Sequence, residues 1–309
     1  MPVTKVEKKI LSADKEHMLA GVVYLPEGKP KGLFHVVHGM SEHMGRYDDF
    51  MQKMAEEGYV CFGYDHLGHG KTAKDPGEFG YFAKKNGWLL LPMDVCNFGN
   101  AMRMEYGADL PYYLMGHSMG SFVVRVAAFL YVDPDKLVIM GTGGPNPLTN
   151  LGLALIGFVK FFKGDKYISP LVQKLAFGSF NSHFKDEHSG SAWLTTTPEM
   201  RKKYEDDPYS GFKFTLSAMG DLLRLNKFAN CRKWFSGMRK DLPILLVSGS
   251  DDPVGNYGNG VRAVYEKLKS AGADVCMKLY DGCRHEILND RCADEVIADI
   301  KNFLQAEKA

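Results

Sequence analysis

Short apolar runs alternate with segments whose apolar residues recur at helical spacing, and this alternation covers most of the chain. Runs at residues 5–11 and 19–24 flank the polar turn Ala13-Asp14-Lys15-Glu16 and predict an antiparallel strand pair. Further strand-like runs fall at residues 32–37, 60–64, 111–115, 137–140, 244–247 and 275–279. Helical spacing marks residues 47–58, 88–106, 121–131, 261–271 and 295–304. Strands alternating with helices predict an α/β fold: a mostly parallel, twisted, eight-stranded sheet with helices on both faces.

The alternation fails between residues 143 and 239. The turn-rich Gly143-Gly144-Pro145-Asn146-Pro147 opens this stretch, helical and aromatic sequence follows, and strand character returns after Asp241-Leu242-Pro243. The expected organisation is a catalytic core of residues 1–142 and 240–309, with residues 143–239 inserted as a mainly helical cap, or lid, over the sheet. Within the insertion, Leu151, Leu153, Leu155, Ile156, Phe158, Val159, Phe161 and Phe162 make a dense apolar helix beside Lys160, Lys163 and Lys166. Two fates suit it: one face buried on the sheet, or transient contact with a micelle or membrane surface. It is too short to span a bilayer.

Composition narrows the class. The 309 residues, 45% hydrophobic and 12% aromatic, suffice for a large core. With 38 basic against 37 acidic residues, no nucleic acid or other polyanion is expected as partner. Residues 1–14 are charged and lack an apolar run, so they do not read as a secretory signal, and a cytoplasmic protein is expected. The six cysteines, Cys61, Cys96, Cys231, Cys276, Cys283 and Cys292, contain no C-x-x-C pair. They read as reduced thiols, Cys283 as a small packed one, and not as a disulfide frame or zinc site.

The chemistry concentrates at Gly116-His117-Ser118-Met119-Gly120, a G-x-S-x-G sequence between a strand-like and a helix-like run. That context suits a nucleophile elbow, where a strand turns sharply into a helix with a serine at the apex. Side chains two positions before and after the serine would collide, so glycine belongs at both. A serine hydroxyl needs a base, and the base needs an orienting acid, supplied in open parallel sheets by loops at the carboxyl ends of strands. Two later loops qualify: Ser248-Gly249-Ser250-Asp251-Asp252-Pro253-Val254 and Tyr280-Asp281-Gly282-Cys283-Arg284-His285-Glu286. The order Ser118, Asp, His285 is the one this arrangement uses. Asp252 is favoured as the acid because Pro253 fixes the loop just after it; Asp251 is the alternative. Backbone N–H donors for a tetrahedral oxyanion are expected from Met119, directly after the serine, and from Met40 in the loop His38-Gly39-Met40.

At these residues the chain resembles the monoacylglycerol lipase and lysophospholipase branch of the α/β-hydrolases, grouped with serine aminopeptidase-like hydrolases. The matching segments are His38-Gly39-Met40-Ser41-Glu42-His43 with Arg46-Tyr47, Tyr64-Asp65-His66-Leu67-Gly68-His69-Gly70, the serine pentapeptide, Gly249-Ser250-Asp251-Asp252-Pro253-Val254, and Arg284-His285-Glu286. The resemblance implies the α/β-hydrolase fold and an acid at Asp252, although Asp251 stands where the family pattern has a small residue. It also implies hydrolysis of monoacyl lipid esters through an acyl-enzyme, without metal or organic cofactor.

Other polar residues read as structural. His66 and His69 lie three apart but lack further ligands, and His117 should pack beside the serine. His183, Asp186, Glu187 and His188 resemble a solvated loop more than a metal cluster, and Glu42, His43, Arg46 and Tyr47 should brace the mouth of the site. Two other functions compete with ester hydrolysis. An aminopeptidase would hold a free amine with cap carboxylates such as Glu187, Glu199, Glu205, Asp206 and Asp207; a small-molecule receptor on the same scaffold would have a broken triad. Epoxide hydrolase and dehalogenase chemistry is disfavoured, because Ser118 stands where those enzymes carry an aspartate.

Overall fold

The computed structural model describes residues 3–306. Its strands are β1 (Thr4–Leu11), β2 (Met18–Leu25), β3 (Gly32–Val37), β4 (Tyr59–Tyr64), β5 (Tyr112–His117), β6 (Lys136–Met140), β7 (Ile244–Gly249) and β8 (Val275–Tyr280). They form one sheet in the order β1-β2-β4-β3-β5-β6-β7-β8. β2 runs antiparallel to β1 and β4, and every other neighbouring pair is parallel.

β3 to β7 are buried along their whole lengths, which is why they read as continuous apolar runs without alternation. Successive side chains serve opposite faces. Leu33, Val37 and Leu114 join a core with α2 (Gly87–Tyr106), α3 (Met119–Leu130) and α9 (Asn259–Ser270). Phe34, Val36 and Met115 face the other way, onto α1 (Asp48–Glu56) and α10 (Ala293–Gln305). Among the described residues, no helix is long and apolar enough to cross a membrane.

Between β6 and β7 lie α4 (Thr149–Lys163), α5 (Pro170–Phe177), α6 (Pro198–Asp206), α7 (Leu216–Ala229) and α8 (Arg232–Gly237). α7 joins the core cluster that holds α2 and α3. α4 joins the same core cluster through Ile156, with Leu155 and Val159 packed against it. It lies on α7, where Ile156 is buried and Gly152 abuts Leu223, while Leu151, Phe158, Phe161 and Phe162 are exposed.

One expectation fails. Cys283 and Cys292 are joined in a disulfide, leaving Cys61, Cys96, Cys231 and Cys276 free among the described residues. The sequence offered no C-x-x-C spacing because the pairing depends on tertiary structure. A single helical turn at Ile287–Asn289 folds the chain after β8 back on itself, and Cys292, at the start of α10, returns beside Cys283.

Candidate active site

β5 ends at His117 and α3 begins at Met119, so Ser118 alone makes the turn, with φ 55° and ψ −119°. The left-handed backbone of a serine is costly and marks a position held by its surroundings. The Ser118 N–H donates to the Met140 carbonyl on β6, at 3.0 Å. The flanking glycines are required as expected: a Cβ on Gly116 would strike the Gly120 carbonyl, and one on Gly120 would strike the carbonyls of Val37 and His38.

The loops after β7 and β8 bring the acid and the imidazole together. His285 Nδ1 lies 2.9 Å from Asp252 Oδ2, and both side chains are buried. Asp252 also accepts from the Ser248 hydroxyl at 3.1 Å and from the Val254 N–H at 2.8 Å, which fixes its plane. Asp251 points elsewhere and accepts from the Ser250 hydroxyl. Ser118, His285, Met40 and Met119 line one cleft of about 830 Å³.

The loop after β3 packs hard against the elbow, since a Cβ on Gly39 would come within 3.0 Å of Ser118 Cβ. Glu42 anchors this loop. Its Oε1 accepts from the Gly39 N–H at 2.6 Å, the Tyr47 hydroxyl at 2.8 Å and His117 Nδ1 at 3.2 Å. His117 Nε2 donates in turn to the His285 carbonyl at 3.1 Å. Burial disfavours the protonated imidazole, but the hydrogen bond and charge of Glu42 outweigh it, and the His117 pKa is raised. Burial likewise opposes ionisation of Glu42, yet His117 and Arg46 hold its carboxyl well below the usual carboxylate range. Arg46 closes the network with a bidentate pair to Glu286, at 2.5 and 2.6 Å. The family-like residues Glu42, Arg46, Tyr47 and His117 are thus one buried ionic frame beneath the site.

Two segments of the helical insertion are sewn to the loops that carry the site. Arg284, just before His285, donates to the Ala192 carbonyl at 2.6 Å and the Thr195 carbonyl at 3.3 Å, and pairs with Glu187. The Glu286 N–H donates to the Leu194 carbonyl at 2.7 Å. Trp193, in the same segment, sets its ring 5.1 Å from that of His285. Near Met40, the Ser41 hydroxyl donates to the Phe212 carbonyl at 2.6 Å, its carbonyl accepts from the Gly211 N–H at 2.9 Å, and His43 pairs with Asp207 at 2.8 Å. Sequence reasoning missed Trp193, and it quoted Ser248 and Arg284 within the two loop segments without giving either a role of its own.

The remaining candidates take no part in the Asp252–His285 pairing. His69 Nε2 accepts from the Ser41 N–H at 3.2 Å, and the rings of His38, His66 and His69 cluster under the site. Burial holds the His69 pKa down, at about 3. His183 stacks on Tyr257, while Glu187 pairs with Arg201 as well as Arg284. Among the described residues, no three His, Cys, Asp or Glu side chains gather as a metal centre would require.

An eight-stranded sheet with this strand order, a serine elbow after β5 and an Asp–His pair after β7 and β8 is the architecture of an α/β-hydrolase. The chain belongs to the family described as serine aminopeptidase, S33, whose pattern matches residues 28–292. It is 30% identical to human monoglyceride lipase over 284 residues, which cover 89% of this chain and 82% of that protein. A monoacylglycerol lipase from Mycolicibacterium smegmatis is 24% identical, with 96% of this chain and 98% of that protein aligned. Among solved structures, a thermostable carboxyl esterase from Bacillus coagulans, in complex with glycerol, superposes with a TM-score of 0.91 at 29% identity. That likeness covers 97% of this chain and 98% of the esterase.

Proposed function

We propose that the protein is a serine carboxylic ester hydrolase acting on monoacyl lipids, monoacylglycerol or lysophospholipid, through an acyl-enzyme. The observation that carries this reading is the buried pairing of His285 with Asp252 in the same cleft as Ser118. In this mechanism Ser118 Oγ attacks the ester carbonyl while His285 Nε2 takes its proton. Asp252 holds the imidazole tautomer and balances the imidazolium charge. The oxyanion is received by the backbone N–H groups of Met40 and Met119, each worth about 2.7–4 kcal/mol of barrier lowering. The protonated His285 then gives its proton to the departing alcohol, and a water activated by the same nitrogen frees the acid. No step calls for a metal or an organic cofactor.

The relatives named as monoglyceride lipases and the apolar cleft wall favour a lipid ester. Residues 143–239 act as the cap, contributing Phe177, Met219, Leu222 and Leu223 to that wall. A peptidase of the aminopeptidase type needs an unpaired carboxylate for the substrate amine. Glu42 and Glu286 line the cleft, but both are paired with Arg46. Of the cap carboxylates, Asp207 binds His43, Asp206 binds Lys202, and Glu205 accepts from Ser189.

A panel of esters varied in chain and head group, run beside Ser118→Ala and a fluorophosphonate probe, tests this reading. Labelling of the wild type alone, with loss of all but a trace of turnover in the variant, is expected. Retained turnover in Ser118→Ala, or an absence of labelling, refutes it, and the latter favours a receptor role.

The exposed Leu151, Phe158, Phe161 and Phe162 on α4, among Lys160, Lys163 and Lys166, support transient docking of the cap on a lipid surface. Phe161→Asp with Phe162→Asp should cut cosedimentation with anionic vesicles several-fold and leave turnover of a soluble ester unchanged. Equal cosedimentation of the wild type and the double variant removes α4 from that role.

A further inference from the structure

One wall of the cleft carries chemistry that the ester mechanism does not use. Three asparagines, Asn146, Asn226 and Asn256, line it from three separate segments. The segments are brought together by close backbone contact. A Cβ on Gly144 would lie 2.8 Å from the Gly260 Cα, and one on Gly143 would lie 3.3 Å from both the Val254 carbonyl and the Phe122 ring. Asn226 Nδ2 donates to the Gly144 carbonyl at 3.3 Å. The wall therefore adjoins Phe122, one helical turn beyond Ser118, and the loop that carries Asp252.

Asn256 is presented by an unusual turn. Asn256, Tyr257 and Gly258 are all left-handed, with φ of 49°, 53° and 81°. Asparagine tolerates that region better than most residues, but two consecutive non-glycine residues there are costly. The turn is held from both sides: the Tyr257 N–H donates to the Asp252 carbonyl at 2.8 Å, and the Tyr257 ring stacks on His183 of the insertion at 4.4 Å.

Asn146 and Asn256 are exposed and Asn226 is half-buried, so the amide atoms not bonded to protein are open to the cleft and its solvent. Asn146 Oδ1 accepts from the Leu148 N–H at 2.9 Å, and its Nδ2 has no partner among the described residues. Asn226 donates through Nδ2 and keeps Oδ1 open to the cleft, and the exposed Asn256 keeps both amide atoms open to it. Donor and acceptor thus stand on one wall without a formal charge, at the end of the apolar stripe Met219, Leu222 and Leu223 on α7. A hydroxyl group, which both donates and accepts, fits this set; a carboxylate or an ammonium finds no countercharge in it.

We infer that Asn146, Asn226 and Asn256 form a hydroxyl-recognising subsite, which selects esters bearing a hydroxyl on the chain that lies along this wall. The inference rests on the ester-hydrolase reading and adds a substrate preference to it. Acyl and alcohol chains are both possible carriers of the hydroxyl, so the test has two arms. p-Nitrophenyl octanoate is compared with a hydroxyoctanoate ester for the acyl side, and octanoyl esters of butanol and butanediol are compared for the alcohol side. A neutral hydrogen bond is expected to raise kcat/KM for the hydroxylated partner about three- to tenfold in one arm. In Asn226→Leu and Asn256→Gly the ratio within that arm should fall to near one. Asn256→Gly keeps the left-handed backbone and decides the matter if Asn226→Leu does not fold. Ratios near or below one in both arms of the wild type, or ratios unchanged in both variants, overturn the subsite. Failure of the wild type to hydrolyse any of these esters strikes the ester-hydrolase reading instead.

Discussion

His285 is paired with Asp252 and not with Asp251, its neighbour in sequence: Asp252 Oδ2 lies 2.9 Å from the imidazole, whereas Asp251 accepts from Ser250. Asp252 is fully buried and takes two further hydrogen bonds, so it is held in place and cannot be replaced by the residue beside it. Asp252→Asn should lower kcat by about four orders of magnitude, since the asparagine would impose the wrong imidazole tautomer. Asp251→Asn should stay within about twofold of the wild type, the size of change expected of a surface hydrogen bond. Steady-state kinetics on one soluble ester, with both variants shown to be folded by circular dichroism, distinguishes the two aspartates. Similar losses in both would remove Asp252 from its assigned role.

Glu42 is the counter-charge of both His117 and Arg46. Removing one partner of a buried ionic frame typically costs about 3 kcal/mol or more, so Glu42→Gln should lower unfolding free energy by that order in a urea titration. The sign of the His117 titration provides a sharper check. With Glu42 present its pKa is raised, and without that charge burial dominates and pulls it below the ordinary histidine value. An NMR titration of the His117 ring protons in both proteins reads the change directly. A pKa that does not fall in the variant contradicts the frame described here.

Asp94 on α2 is buried and ties the β1–β2 turn to the helix, accepting from the Ser12 hydroxyl at 2.9 Å and the Ala13 N–H at 2.6 Å. Burial raises its pKa from 3.8 to about 7 despite those donors. Between these values the folded state holds a proton on Asp94 that the unfolded chain has lost, so the contribution of Asp94 to stability falls as pH rises from about 4 to about 7. The loss amounts to at most about 4 kcal/mol. Asp221, raised to about 6 by burial, acts in the same sense. Buried histidines such as His69, whose pKa is held down, act in the opposite sense, so the check is a difference: the stability of the wild type relative to Asp94→Asn, read by thermal unfolding, should decline from about pH 4 to about pH 7. A relative stability that climbs through the same window is the opposite result.

The disulfide makes a counting prediction. Alkylation of the denatured, unreduced protein should modify four cysteines, and alkylation after reduction all six. Intact mass spectrometry separates the outcomes, and six modifications before reduction would exclude the bond.

Much of this architecture was legible because it is local. The strands of the core are continuous apolar runs, and Ser118, Asp252 and His285 each sit just beyond one of them, where a parallel sheet gathers its loops. Strand and helix ends shifted by only a few residues; α3 begins at Met119 and not at residue 121, because a single left-handed serine completes the turn. What could not be read depends on contacts far apart in sequence. Trp193 reaches His285 across 92 residues of chain with no periodic signal, as the Ala192 carbonyl reaches Arg284. Cys283 and Cys292 stand only nine residues apart and were misread for a different reason, since their meeting depends on a fold-back that no local motif announces. The α4 face was read as dual in character, and its exposure was settled only by where α7 lies beneath it.

The stitching of residues 187–196 and 204–212 onto the loops around His285 and Ser41 restricts how the molecule can breathe. Displacing the whole insertion would strip Arg284 and Glu286 of their carbonyl partners and Ser41 of its own in one movement. α4 and α5 are tied instead to α7 and the chain just before it, through Lys160 on the Ser217 hydroxyl and Gln173 on the Phe214 carbonyl. The insertion thus answers to two separate parts of the molecule, one half to the loops around His285 and Ser41 and the other to α7.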